Sequence, residues 1–250
     1  MVEANSSTRL PAVLARYTIR ESKRAKRLRL QLSVEKGLEV VVPRGFDHRQ
    51  IPDILQEKRQ WLERANQRIE VQRQRLAQDP PDQLPQTIEL TAIEEKWQVE
   101  YHPTAAKRVS CREQPNHWLL VQGCIEETDA CQDVLKQWLN HKGYQHLVPW
   151  LEATSQVCQL PFRKAFVKGQ KTLWGSCSNQ KNINLNRKLL FLPKPLVRYV
   201  FVHELCHTLE LNHSAKFWQL VGEQEPQYKQ LDADLKQAWQ FVPTWAESHR

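Results

Sequence analysis

The sequence predicts an α+β protein, and two periodicities of its apolar residues carry that prediction. Apolar and polar residues alternate over 27–34 and in short runs between 86 and 123, which is typical of half-buried strands. Apolar residues recur at helical spacing over 47–77, 127–151 and 195–211, which is typical of amphipathic helices. We therefore expect helices that pack against a small mixed or antiparallel sheet.

The composition excludes several classes of protein. The chain has 250 residues, of which 40% are hydrophobic, so it can form one or two packed cores. The chain has no apolar run of about 18 residues, as a transmembrane helix needs, and residues 1–20 lack the apolar stretch of a secretory signal. Six cysteines are scattered without a Cys-x-x-Cys pair, so we expect no disulfide scaffold, no membrane partner and a cytoplasmic protein.

The N-terminal part of the chain is predicted to form a β-hairpin followed by a long helix. Two strands, 27–34 and 38–42, flank a short turn that contains Gly37, and the helix follows over 47–77. Residues 79–82, which include two prolines, then break the helical pattern. This break marks a linker or the boundary of a sub-domain.

The break divides an expected N-terminal region, 15–78, from an expected catalytic region, 84–250, although the two can also form one continuous domain. Short strand-like runs at 88–90, 97–101 and 118–121 begin the second region, and a long helix over 127–151 follows them.

A second hairpin is predicted between Lys171 and Leu189, with its turn at 179–182. On one face of its second arm, Asn182, Asn184 and Asn186 form a row of amides, which is either a solvated sheet surface or part of a site. Three helices are expected after the hairpin, over 195–211, from an N-cap at Ser214, and over 227–241.

The residues with the clearest chemistry form the motif His203-Glu204-x-x-His207, inside the predicted apolar helix. Residues four apart on a helix project within about 40° of each other and lie about 6 Å apart along the axis, so the two imidazoles can converge on one ion. Glu204 lies about 100° around from His203, where it can act as a base toward a metal-bound water. Two ordinary core histidines are the alternative, although burying these polar side chains without purpose is costly.

A catalytic zinc ion takes three protein ligands and keeps one open position, and His213 is the natural third ligand. It follows His207 too far along the chain to share the same helix face, so the helix must end first. Asn212 is the expected end, because Asn tolerates the left-handed conformation of a helix C-cap.

The spacing of the three histidines matches that of metzincin proteases, but two residues argue against this class. Glu210 occupies the position of the metzincin glycine, and Met1 is the only methionine, so the methionine turn beneath the metal cannot form. The sequence therefore predicts a zincin-like fold of another kind, with the active-site helix packed on the small sheet.

Several segments resemble the successive motifs of the YgjP-like metal-dependent hydrolases, a family related to the SprT-like and Wss-type metallopeptidases. These segments are 171–178, 183–186, 202–207 and 212–214 with Phe217 and Trp218, and the early hairpin and the Trp61 helix are also similar. The resemblance implies a zincin-like fold, three ligands in His203, His207 and His213, and a catalytic Glu204. It supplies no substrate.

We expect a zinc metallopeptidase with one Zn²⁺ per chain that cleaves a peptide or protein substrate. Glu204 would accept a proton from the activated water and pass it to the leaving amine. Arg187, Tyr199 and Asn186 are candidate contacts to the oxyanion or the substrate, and the sequence does not choose among them. The second hairpin can offer an edge strand to an extended substrate, and a zinc hydrolase of non-peptide amides is a further alternative.

The net charge of +8 leaves a different class of function open. The densest basic stretch lies between Arg20 and Arg29, where weak contact with nucleic acid competes with an ordinary solvated strand face. The alternative function is a basic nucleic-acid-associated binding protein with a structural zinc site. A structural site is closed by a fourth protein ligand, whereas a catalytic site leaves room for water.

Overall fold

A computed structural model describes residues 17–33, 37–78, 80 and 83–247. The chain forms two compact units, Met1–Pro80 and Pro81–Arg250. Each unit has its own hydrophobic core. The mixture of short strands and helices confirms the α+β class.

The first unit contains a three-stranded sheet and two helices. Strands β1 (Tyr17–Ser22), β2 (Arg29–Ser33) and β3 (Gly37–Pro43) are arranged in the order β1-β3-β2, with β2 antiparallel and β1 parallel to β3. The predicted hairpin is confirmed in its strands, and residues 34–36 of its turn lie outside the described residues. β1 was not predicted, because most of its side chains are exposed and it carries no clear alternation.

The predicted helix over 47–77 is interrupted in the structure. Helix α1 (Ile51–Glu57) ends at Lys58, and helix α2 (Arg59–Gln78) begins directly after it. The sheet and the helices bury one apolar cluster, to which β3 contributes alternate residues and the helices contribute one face; it comprises Leu38, Val40, Val42, Ile51, Leu55 and Leu62.

The second unit begins with a four-stranded sheet and a long helix. Strands β4 (Thr87–Leu90), β5 (Glu95–Pro103), β6 (Ser110–Gln114) and β7 (Trp118–Gly123) have the order β4-β5-β7-β6, and helix α3 (Thr128–Cys158) follows. Three of these strands were predicted. β6 was missed because it is a largely exposed edge strand, and α3 continues beyond the predicted end at 151 to Gln159, which adopts a left-handed conformation.

A second sheet supports the candidate site. Strands β8 (Lys164–Lys168), β9 (Gly175–Cys177) and β10 (Asn182–Asn186) have the order β8-β10-β9, with β9 antiparallel and β8 parallel to the central β10. The predicted second hairpin is confirmed as β9 and β10, although its first arm is shorter than expected. The added strand β8 makes the sheet mixed.

Helices α4 (Lys194–Cys206), α5 (Ala215–Gln224) and α6 (Tyr228–Leu235) complete the second unit. The predicted N-cap is confirmed, since the Ser214 hydroxyl accepts a hydrogen bond from the backbone N–H of Phe217. The last helix is shorter than predicted, because the chain passes into a 3-10 helix at Ala238–Phe241 after α6 has ended. None of the described helices is both long and apolar enough to cross a membrane.

Candidate active site

Helix α4 carries the first part of the candidate site into the core of the second unit. Its apolar residues are buried on several sides, including Val200, Val202 and Leu205. Because the helix is enclosed in this way, Glu204 is also buried, and α4 reaches the cleft described below through Val200, His203 and Glu204. Packing of the helix therefore fixes the directions of His203 and Glu204.

The structure brings the three predicted imidazoles together. One ring nitrogen from each of His203, His207 and His213 lies within 4.8 Å of the others. The Nε2 atoms of His203 and His213 are only 3.1 Å apart, so these two nitrogens point at a common position. Among the described residues, this trio is the group of side chains arranged to hold a metal ion.

The way in which His213 arrives differs from the prediction. Helix α4 ends at Cys206 rather than near Asn212, and Asn212 is not in the left-handed region. The chain instead turns through hydrogen bonds from the N–H of Thr208 to the carbonyl of Leu205 (2.9 Å) and from the N–H of Leu209 to that of Cys206 (3.1 Å). These tighter bonds end the helix early and leave the intervening residues to bring His213 back.

Neighbouring groups orient the imidazoles. His207 Nδ1 lies 2.9 Å from the backbone oxygen of Glu210, the kind of second contact that metal-ligating histidines make. The ring of Phe217 stacks on His207 with centroids 4.4 Å apart, and the indole of Trp218 stacks on His213 at 5.6 Å. Phe217 also lies edge-on to the ring of His203, with centroids 5.0 Å apart, so helix α5 contacts all three rings.

Burial keeps the imidazoles in the form that binds metals. Burial lowers the pKa of His203 to about 4, with the neighbouring His207 and His213 adding to the effect, while Asp232 opposes it. Burial also lowers the pKa of His207. Both rings are therefore neutral near pH 7, as metal coordination requires.

Glu204 lies beside the histidines, and its side chain is buried. Burial raises the pKa of its carboxyl group to about 8, and Oε2 has no hydrogen-bond partner among the described residues. The backbone of Gly175 in β9 lies close to the carboxyl group and leaves no room for a side chain. A Cβ at that position would lie 2.7 Å from Cγ and Oε1 of Glu204. Gly175 is thus part of the site, which the sequence pattern alone did not reveal.

The site opens into a cleft of about 360 Å³. Residues 172–177 line it, together with α4, the segment after α4 and two residues of α6. One of these is Asp232, whose Oδ1 accepts a hydrogen bond from the buried Tyr199 hydroxyl (3.2 Å) and whose Oδ2 pairs with Lys236 (2.7 Å). No sequence pattern points to Asp232, because it lies on a different helix from the motif.

Two of the three asparagines on β10, Asn184 and Asn186, form hydrogen bonds to neighbouring segments. Asn186 is buried, and its Nδ2 donates to the backbone oxygens of Gln170 (2.9 Å) and Leu173 (2.8 Å), while its Oδ1 accepts from the N–H of Lys188. Asn184 donates to the Ser176 hydroxyl at 3.0 Å. These bonds hold the segment that lines the cleft.

Arg187, Tyr199 and Asn186, the three candidate oxyanion contacts, are not among the residues that line the cleft. The amide of Asn186 is used by the backbone, and Tyr199 is buried with its hydroxyl on Asp232. The guanidinium of Arg187 lies against Gly169 and donates to Asn140 at 3.3 Å. All three side chains have structural partners, and the ring of Tyr199 also lies edge-on to the imidazole of His203, with centroids 6.0 Å apart.

Three converging imidazoles beside a buried carboxyl group define a candidate metal centre of the hydrolase kind. The chain also matches the family described as "YgjP-like, metallopeptidase domain" over residues 26–238. It therefore belongs to the YgjP-like metallopeptidase family, whose members are metal-dependent hydrolases.

Two individual proteins show partial similarity. The UTP pyrophosphatase of Escherichia coli (strain K12) is 46% identical over 44 residues, which span 18% of this chain and 26% of that protein. The chain thus matches about a quarter of the length of this curated relative. The crystal structure of the metallopeptidase zymogen of Pyrococcus abyssi abylysin is 21% identical, covers 36% of this chain and 92% of its own, and has a TM-score of 0.34.

Proposed function

We propose that the protein is a zinc-dependent hydrolase with a zincin-like centre and that it cleaves peptide bonds. The observation that carries the proposal is the convergence of His203, His207 and His213 in one cleft beside the buried Glu204. Family membership supports a metal-dependent hydrolase, and the ligand set supports zinc in particular.

The residues present fit a catalytic zinc ion. Three imidazoles would hold it, and the described part of the chain offers no fourth ligand side chain in the group, so one position would stay open for water or substrate. When bound, zinc lowers the pKa of water from 15.7 to about 7 and polarises the bond to be cleaved.

Glu204 is suited to move the proton of the attacking water. Burial alone raises the pKa of Glu204 to about 8, and a divalent cation held by the histidines would lower it again and favour the carboxylate, the form that accepts a proton. The same carboxyl group can later deliver the proton to the leaving amine. Its position beside the histidines, rather than among them, leaves it free for this role.

Strand β9 favours a peptide as the substrate. It pairs with β10 on one side, and residues 174–177 line the cleft. An extended peptide can bind the edge of a strand through backbone hydrogen bonds, which also supply donors for a developing oxyanion. The donors would then lie on the backbone instead of on the three side chains first considered.

A second candidate is the hydrolysis of a nucleoside triphosphate, because the partly matching relative from Escherichia coli is named a UTP pyrophosphatase. A zinc ion held by the three histidines would supply the same kind of nucleophile for attack on phosphorus. Sites for phosphoryl groups normally use Lys or Arg, however, and no Lys or Arg is found among the described residues that line this cleft. We therefore place the peptide first and use UTP as the competing substrate in the test.

The nucleic-acid alternative has less support. Arg20 forms an ion pair with Glu39 (3.0 Å) within the first sheet, which offsets part of the basic stretch that reaches Arg29. A structural zinc site needs a fourth protein ligand, and the described metal group supplies three. Weak contact of this stretch with nucleic acid stays a proposal, as does a cytoplasmic location, which the six free cysteines favour.

The decisive experiment compares wild type with Glu204→Gln and His213→Ala. We expect about one zinc per chain in wild type. Glu204→Gln should keep the metal but lose at least about 100-fold in peptide hydrolysis, the scale of general-base catalysis. His213→Ala should bind zinc much more weakly.

Metal analysis and turnover of a peptide mixture and of UTP provide the readouts. Unchanged turnover of Glu204→Gln would remove the general-base role, and undiminished zinc in His213→Ala would require another third ligand. Cleavage of UTP without cleavage of any peptide would replace the proposed substrate.

A further inference from the structure

Two large apolar side chains are exposed inside the cleft. Leu173 and Leu211 both line it and retain 53% and 61% of their accessible surface. Leu173 lies in the segment before β9, and Leu211 lies between His207 and His213. Exposed apolar surface concentrated in a concave site marks a binding surface, since it gains free energy when a ligand covers it.

The charged and ionisable groups that line the cleft already have partners or a role in the proposed chemistry. Both carboxylate oxygens of Asp232 have partners, Tyr199 and Lys236. Glu204 and the three histidines belong to the proposed chemistry. Thr172 and Ser176 add two small hydroxyl side chains to the lining, but the large exposed side chains that remain to contact the rest of a substrate are apolar.

The two leucines are also held in place. Asn186 Nδ2 donates to the backbone oxygen of Leu173, so the strand β10 fixes the position of this residue. Leu211 is tied by its neighbours in the chain, because the carbonyl of Glu210 contacts His207 and His213 returns to the metal group two residues later. A surface fixed in this way loses little conformational entropy on binding.

From these observations we propose that the cleft selects peptides with large apolar side chains beside the bond to be cleaved, and that Leu173 and Leu211 form the surface that recognises them. This selectivity rests on the proposed function, because it concerns the substrate of the same site.

The test uses the zinc-loaded full chain and internally quenched decapeptides that differ at single positions. We expect kcat/KM to be about 10- to 100-fold higher for Leu or Phe than for Ser or Glu beside the cleaved bond, the range that hydrophobic pockets achieve. Leu173→Ser and Leu211→Ser should each reduce cleavage of the apolar peptides about tenfold and leave the polar ones nearly unchanged.

Leu209→Ser is the matched control. Leu209 is 55% exposed and lies two residues before Leu211, but it does not line the cleft. The Leu209→Ser variant should keep the wild-type preference for apolar peptides. Zinc content is measured for every variant, because Leu211→Ser could disturb the nearby ligand His213 instead of substrate binding. Leu173→Ser lies away from the ligands in the chain and tests substrate binding without this complication.

A peptide preference that persists in both leucine variants would overturn the inference while leaving the hydrolase intact. The inference would also fall if Leu209→Ser removed the preference equally, or if wild type preferred acidic peptides. A zinc-loaded wild type that cleaves no peptide would overturn the proposed substrate and this inference together.

Discussion

At the scale of single residues, Gly175 leaves the space that the side chain of Glu204 occupies. The spacing of the motif predicts the histidines and Glu204 because helix geometry relates residues four apart. It cannot predict Gly175, which lies about thirty positions earlier and acts by having no side chain. Such a close approach is a property of the folded chain alone.

Gly175→Ala should therefore impair catalysis more than it impairs folding. The added methyl group must displace the carboxyl group of Glu204, and a displacement of about 1 Å can cost roughly 100-fold in rate. We expect kcat to fall about 10- to 100-fold while zinc affinity stays near that of wild type. Steady-state kinetics and metal titration measure the two quantities separately.

Gly143→Ala is the control for simple overcrowding. A Cβ at Gly143 in α3 would lie 2.7 Å from Cγ1 of Val167, as close as the contact at Gly175 but away from Glu204. It should cost about 1–3 kcal/mol of stability and leave kcat of the folded protein unchanged. Equal loss of kcat in both variants would contradict a specific role for Gly175.

At the scale of secondary-structure elements, the sequence predicts strands and helices with a regular apolar pattern. It does not predict features that depend on contacts with other parts of the chain. Alternation of apolar and polar residues identifies the hairpin of β9 and β10. The same alternation would be seen whether the three asparagines of β10 contact solvent or other parts of the protein, so the sequence does not predict their partners. The amide of Asn184 donates to a neighbouring side chain and that of Asn186 donates to the backbone, so these two asparagines have a structural role. The exposed edge strands β1 and β6 were missed because little apolar surface marks their faces.

A buried ion pair joins the first sheet of the second unit to α3. Lys142 Nζ lies 2.7 Å from Glu95 Oε2, which also accepts a hydrogen bond from the indole of Trp97 at 2.8 Å. Burial raises the pKa of Glu95, but Lys142 and Trp97 outweigh it, so the pKa lies below its ordinary value of 4.5. Ionised Glu95 therefore stabilises the fold above pH 4.5, and this contribution is lost as the pH falls through its lower folded pKa.

Lys142→Met should destabilise the protein in a pH-dependent manner. At pH 7 it leaves a mostly buried carboxylate without its cation, which we expect to cost about 2–3 kcal/mol. The difference from wild type should shrink below about pH 4.5, because the unpaired Glu95 then becomes neutral. Urea denaturation at pH 7 and pH 4 measures both values.

Lys194→Met provides the matched exposed pair. Lys194 contacts Glu94 at 2.8 Å, but both side chains are largely exposed. Loss of this exposed ion pair should lower the free energy of unfolding by less than about 1 kcal/mol. A cost of Lys142→Met that does not change with pH would mean that lost packing, rather than charge, determines its effect.

At the scale of the whole molecule, the metal group lies entirely in the second unit, where α4, the segment after it and the aromatic residues of α5 meet. Composition and periodicity were enough to predict the class of fold and the helix that carries the motif. The early end of α4 was not predictable, because the tight hydrogen bonds after Cys206 compete closely with another helical turn.

Zinc should stabilise the folded chain through mass action. At a free zinc concentration about 100 times Kd, binding adds about 2.7 kcal/mol, which corresponds to roughly 5–10 °C in Tm for a unit of this size. Calorimetry with and without a chelator measures the shift. Magnesium, which prefers oxygen ligands, should produce none, and His213→Ala should reduce the zinc effect. Equal shifts with zinc and magnesium, or an undiminished shift in His213→Ala, would contradict a three-histidine site.

The stack of Trp218 on His213 gives the protein a natural optical sensor. Trp218 also stacks on Tyr228, with ring centroids 5.6 Å apart, so its indole is held between an aromatic neighbour and one proposed ligand. Cobalt or copper in place of zinc absorbs light and quenches nearby indole emission. Loading of the centre can therefore be followed by fluorescence in real time, without attaching a dye.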